Sequence, residues 1–146
     1  MPELPEIEAY LHALRPRIVD ATLEATRIAS FSLLRTYDPP IEDTAGRRVV
    51  DVHRIGKRVS IDLEHDLHLV IHLMVAGRVA WRETAGAIPK RGGLASFDFT
   101  SGSLLLTEAG TKRRASLSVV TTAGLDAVDP GGIEVDGATL EAFTDA

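Results

Sequence analysis

Proline at position 2, with glutamate at 3 and again at 6, is the arrangement in this chain best suited to chemistry. Initiator methionine is readily removed before a small residue such as proline. Removal of Met1 would leave a secondary amine at the chain terminus; while Met1 stays attached, an amide-linked Pro2 nitrogen is no nucleophile. An α-amino group titrates near about 8, against about 10.4 for lysine, so roughly a tenth of it is free base at pH 7. Such an amine can attack a sugar carbon and form an iminium, which is covalent catalysis. Glu3 stands next to it as proton donor and acceptor, and Glu6 follows one helical turn later on the same side. The plainer alternative is that Pro5 and the acidic residues simply start a helix.

A helix is what must position these groups. Ile7, Leu11, Leu14 and Ile18 recur at i, i+4, i+7 and i+11, one apolar stripe that predicts a helix over residues 1–18 docked on a core. The opening Pro2-Glu3-Leu4-Pro5-Glu6-Ile7-Glu8 resembles the start of the formamidopyrimidine-DNA glycosylase / endonuclease VIII family of base-excision repair enzymes. The resemblance implies that Pro2 is the Schiff-base nucleophile, Glu3 the general acid and Glu6 its support. Leu4 leans toward the formamidopyrimidine branch.

Two basic clusters extend the resemblance. In Arg54-Ile55-Gly56-Lys57-Arg58, at a turn between strands, Lys57 matches the family's hairpin lysine, which acts at the phosphate beside the lesion. Thr111-Lys112-Arg113-Arg114-Ala115-Ser116 keeps the arginine pair of the family's gap-filling loop but lacks its aromatic. His72-Leu73-Met74-Val75-Ala76-Gly77 is similar to the family's His-Leu-Gly-Met-Ser-Gly, with Val75 at the wedge methionine and Met74 at a glycine. For Met74 and Val75, packing inside a buried strand is an equal alternative to wedging DNA. DNA contacts are thus implied for Arg54, Arg58, His72, Lys112, Arg113 and Arg114, and a catalytic role for Lys57.

Composition sets the frame. The chain has 146 residues, net charge −5 and no cysteine, which excludes disulfides and removes the usual zinc ligands. All sixteen Lys and Arg lie in residues 1–114 beside fifteen acids, whereas residues 115–146 carry six acids and no base. A near-neutral body with local basic loops can bind DNA, with a steep salt dependence. No signal peptide or membrane span is legible, so a cytoplasmic, bacterial-type location and a monomer are expected. His68 and His72 lie four apart on a strand, roughly 13 Å at 3.3 Å per residue, too far to share one ion; no metal is expected in this chain.

Strands are predicted over 18–28, 47–55, 57–63, 67–75, 79–82, 94–99, 104–107 and 115–121, with a helical turn at 41–45 and a second helix over 137–143. Short, closely spaced strands between two helices predict a mostly β, α+β fold: a two-sheet antiparallel β-sandwich of about eight strands, as the resemblance also implies. The resemblance covers the family's N-terminal catalytic half. The helix–two-turn–helix and zinc-finger half, which often holds one structural zinc, is expected to lie outside the chain. The expected function is removal of oxidised bases by a bifunctional glycosylase and abasic-site lyase acting on double-stranded DNA, weakened in this length of chain. A non-catalytic damaged-DNA-binding module of the same fold is the alternative, and a partner-binding β-sandwich a third.

Overall fold

The computed structural model describes residues 4–30, 32–36, 38–74, 76–110 and 114–128. Pro2, Glu3, Val75, Lys112, Arg113 and the helix predicted at 137–143 fall outside these residues. Helix α1 runs Leu4–Ile18. Its stripe is buried as the spacing requires: Ile7, Leu11, Leu14 and Ile18 are all under 5% exposed. Burying a side chain of this size stabilises by about 1.5–3 kcal/mol, so the stripe anchors the start of the chain firmly. The helix ends where Asp20 takes a left-handed φ of 73°.

Eight strands follow: β1 Thr22–Ile28, β2 Arg47–Ile55, β3 Arg58–Leu63, β4 Leu67–His72, β5 Gly77–Arg82, β6 Gly93–Phe99, β7 Gly102–Glu108 and β8 Ser116–Thr121. Every ladder between them is antiparallel. Their order is β5-β7-β6-β1-β2-β3-β4-β8. The β1–β2 ladder is only two pairs long, Thr22 with Arg48 and Leu23 with Arg47. It joins a half made of β5, β7, β6 and β1 to a half made of β2, β3, β4 and β8. Leu23, Phe97, Leu104 and Leu106 of the first half share one core with Val49, Ile61, Leu69 and Leu117 of the second and with the α1 stripe. The predicted two-layer arrangement with a helix at its flank is therefore present.

Two details differ from the sequence reading. The apolar run 67–75 is not one strand: β4 stops at His72, and Met74 turns with φ 60°. That turn closes tightly, because a Cβ at Gly77 would lie 2.3 Å from the carbonyl oxygen of Leu73. Met74 is therefore half-buried in a turn, not packed inside a strand. The flanking second helix is α2, Thr122–Val128, which the sequence did not signal. Its first backbone N–H donates to Asp66 Oδ1 at 3.1 Å, a cap supplied from a distant turn. No described helix is long and apolar enough to cross a membrane.

Candidate active site

The first turns of α1 and the β2–β3 turn are tied to each other. Arg54 Nε donates to Glu8 Oε2 at 2.8 Å, and Arg54 Nη1 donates to the Gly56 carbonyl at 3.0 Å. Arg54 was expected to face DNA. Its donors are engaged within the chain instead, because Glu8 sits across from it on the docked helix. Glu6 is exposed in the helix's first turn. Lys57 projects, exposed, from a turn that Gly56 makes with φ 60°. The structure thus places Glu6 and Lys57 on elements joined by the Glu8–Arg54 pair.

Arg58 and His72 face each other across the β3–β4 ladder. Burial pushes the His72 imidazole down to about 4, helped by the nearby positive charges of Arg58 and Lys57. At neutral pH the ring is therefore uncharged, flanked by two cations. Its Nε2 is buried without a hydrogen-bond partner among the described residues. An unmade hydrogen bond of this kind costs about 1–3 kcal/mol. Lys57, Arg58 and His72 form a compact electropositive corner that an anion would relieve.

The third expected element lies at the far end of β7. Arg114 is exposed, but its backbone N–H is held: Glu108 Oε1 and Oε2 accept it at 2.9 and 3.0 Å. Glu108 Oε2 also accepts the Ala115 N–H at 3.0 Å. Ala115, at the position of the family's aromatic, is buried at 2% exposure. Sequence reasoning missed Glu108. The signal was present, since Leu104, Leu106 and Glu108 alternate onto the same buried face.

Two polar networks occupy the outward faces of the halves. On β2, β3 and β4, the Nδ1 atoms of His53 and His68 donate to opposite oxygens of Asp62 at 2.7 and 2.6 Å, and Ser60 donates at 2.8 Å. His68 Nε2 also bonds Thr122 Oγ1 at 2.9 Å, reaching α2. Burial opposes the charge on Asp62, yet the hydrogen bonds of His53 and His68 hold it well below the usual carboxylate range. The same bond raises His53 against the effect of burial. On β1, β6 and β7, Arg27 grips Asp98 through two nitrogens at 2.7 and 3.2 Å. Ser96 and Ser103 complete that carboxylate's shell. Among the described residues, no cluster of three or more His, Cys, Asp or Glu is arranged to hold a metal ion.

Comparison with known proteins matches this architecture. The family model described as the formamidopyrimidine-DNA glycosylase N-terminal domain covers residues 1–116. The formamidopyrimidine-DNA glycosylase of Variovorax paradoxus (strain S110) is 37% identical over 113 residues, 77% of this chain and 38% of that protein. That of Mycoplasma genitalium is 27% identical over 107 residues, again 38% of its length. The chain therefore spans about two-fifths of the length of these relatives. Among solved structures, the Lactococcus lactis enzyme bound non-covalently to DNA containing an AP site superposes with a TM-score of 0.77 at 19% identity, covering 88% of this chain and 48% of that one. A computed fold with an N-terminal helix on an eight-stranded antiparallel sandwich, and a family match over its first 116 residues, agree: the chain belongs to the formamidopyrimidine-DNA glycosylase N-terminal domain family.

Proposed function

We propose that this chain is the catalytic N-terminal domain of a base-excision repair glycosylase and abasic-site lyase acting on oxidised bases in double-stranded DNA. The observation that carries the reading is the Glu8–Arg54 bond, which ties the helix leading from Pro2 to the turn that presents Lys57. A nucleophile and a phosphate-binding cation are useful together only if their separation is fixed.

With Met1 removed, the Pro2 nitrogen attacks C1′ of a nucleotide flipped out of the duplex, and the bond from C1′ to the base breaks. Glu3 delivers the proton that opens the sugar ring, leaving an iminium between Pro2 and C1′. Loss of a C2′ proton then expels the 3′ phosphate, with Lys57 stabilising the charge that develops there. The Lys57, Arg58 and His72 corner binds the adjacent backbone as a set of positive and neutral donors. Lys112, Arg113 and Arg114 meet the duplex from the β7–β8 connection. The relatives' greater length supports a second, C-terminal half that completes the DNA clamp. The family's structural zinc belongs with that half: this chain has no cysteine, and its described residues do not fit the metal.

A second reading, a damaged-DNA-binding module without chemistry, draws on one observation. Ala115 is buried where the family presents an aromatic wedge, so the opened base stack lacks that support. Borohydride trapping on a duplex with a single abasic site, using protein of verified mass without Met1, decides between them. A covalent adduct that disappears in Pro2→Gly is the expected result. Binding without any adduct would establish the module instead.

A further inference from the structure

We infer that Glu108 is a positioning residue that sets two basic loops, Lys90-Arg91 and Lys112-Arg113-Arg114, at one end of the sandwich for DNA binding. The inference rests on the DNA-binding reading above.

The side chain and the backbone of Glu108 act on different loops. Its carboxylate is 2% exposed and accepts the N–H groups of Arg114 and Ala115, closing the base of the 109–114 connection. Its own N–H donates to the Gly92 carbonyl at 2.8 Å, fastening the residue that follows Lys90-Arg91. Gly92 has φ 81°, and a Cβ there would press to 3.3 Å from the Glu108 carbonyl oxygen, so that strand end and loop run in near contact. On its other side, Glu108 pairs with Gly77 of β5, which closes the turn containing Met74.

Three segments rich in candidate DNA contacts therefore meet at one residue. A cleft of about 390 Å³, lined by Arg91, Gly92, Ala109 and Gly110 among others, opens between the two basic loops. The loops are thus held in register through Glu108. A buried acid is expensive to keep in a fold unless its oxygens are satisfied. Here they are satisfied by the backbone of the very segment whose arginine is exposed. With the clamp in place, the loop does not have to be ordered when DNA arrives, which removes an entropic penalty from binding.

The test uses the full chain and a duplex carrying a tetrahydrofuran abasic analogue. Glu108→Gln turns one accepting oxygen into an amide that cannot accept, and binding should weaken about tenfold, the equivalent of one lost hydrogen bond to a charged group. Amide exchange at Arg114 and Ala115 should quicken in the same variant. In a background with Lys112, Arg113 and Arg114 all changed to Ala, Glu108→Gln should cost no further affinity, because the charges it positions are gone. Full affinity in Glu108→Gln, or an undiminished loss in the triple background, would overturn the inference. If Glu108→Gln does not fold, Glu108→Asp, which retracts the oxygens by one methylene, is read in its place with the same two criteria. Wild-type chain that does not retain the duplex at all would defeat the functional reading itself, a result distinct from wild-type retention matched by the variant.

Discussion

The two halves of the sandwich each centre an outward polar network on one carboxylate, and the partners make the halves differ. Asp98 is held by a guanidinium and two serines, Asp62 by two imidazoles and one serine. The two acids are equally sheltered, at 14% and 16% exposure. Arginine keeps its charge at any pH a cell meets, whereas histidine changes charge near neutrality. The same architectural device is thus permanent in one half and titratable in the other. The titratable half is the one that carries Lys57, His72 and the attachment of α1.

The comparison breaks most visibly in Asp98→Ala. That change strands Arg27 and leaves the hydroxyls of Ser96 and Ser103, both fully buried, without their acceptor. Urea unfolding should report a loss of about 3 kcal/mol, with the same value at pH 5.5 and pH 8.5. Asp62→Ala should cost less, about 2 kcal/mol at pH 5.5, and less still at pH 8.5. The sign follows from two shifts. Asp62 is lowered from 3.8, so its contribution is present above that value and lost on acidification. His53 is raised from 6.5, so its contribution is full below 6.5 and lost as pH rises through the raised value. The network is strongest between about pH 4 and pH 6.5. A pH-independent cost for Asp62→Ala would erase the contrast between the halves.

A smaller effect comes from His72, whose shift has the opposite sign to that of His53. Lowered from 6.5 to about 4, it resists protonation in the fold, so stability falls as pH drops from 6.5 toward 4. His72→Gln should flatten that acid limb of the stability profile and leave the neutral region nearly unchanged. The smallest change in stability should be that of Glu8→Gln, about 0.5 kcal/mol, since the pair with Arg54 is half-exposed. Its trapping rate on abasic DNA should nevertheless fall several-fold, with recovery in the swapped pair Glu8→Arg with Arg54→Glu. Equal stability and equal trapping would remove the strut from the argument.

What the sequence carried plainly was periodicity. The α1 stripe, the alternation of Val59, Ile61 and Leu63, and the turn at Glu64-His65-Asp66 all appear where spacing places them. These are local patterns, and local sterics decide them. The rest depended on partners far along the chain. Arg54 reads as a free cation because Glu8 is 46 residues away. Glu108 reads as one more loop charge because its acceptors' donors come from the following strand. Met74 reads as strand because an apolar run shows no sign of a left-handed turn. Helix α2 is short, and its cap comes from Asp66, outside its own segment. Of the expected site, Glu6, Lys57, Arg58 and His72 lie on elements joined around the β2–β3 and β3–β4 ladders. Arg54 turned out to be the fastening between them.

Helix α1 is also a mechanical member. Near its start it is bolted to β2 by the Glu8–Arg54 pair, and at its end the Arg17 carbonyl accepts a hydrogen bond from Ser101 in the β6–β7 turn at 2.6 Å. Fifteen residues at 1.5 Å each make a rod of about 22 Å. The rod crosses the line where the two halves share only the two-pair β1–β2 ladder. A covalent bond between residue 2 and a strand of DNA would pull along this rod. The load would pass into both halves together, so tension from a bent duplex would press the sandwich shut instead of prying it open at its weakest seam.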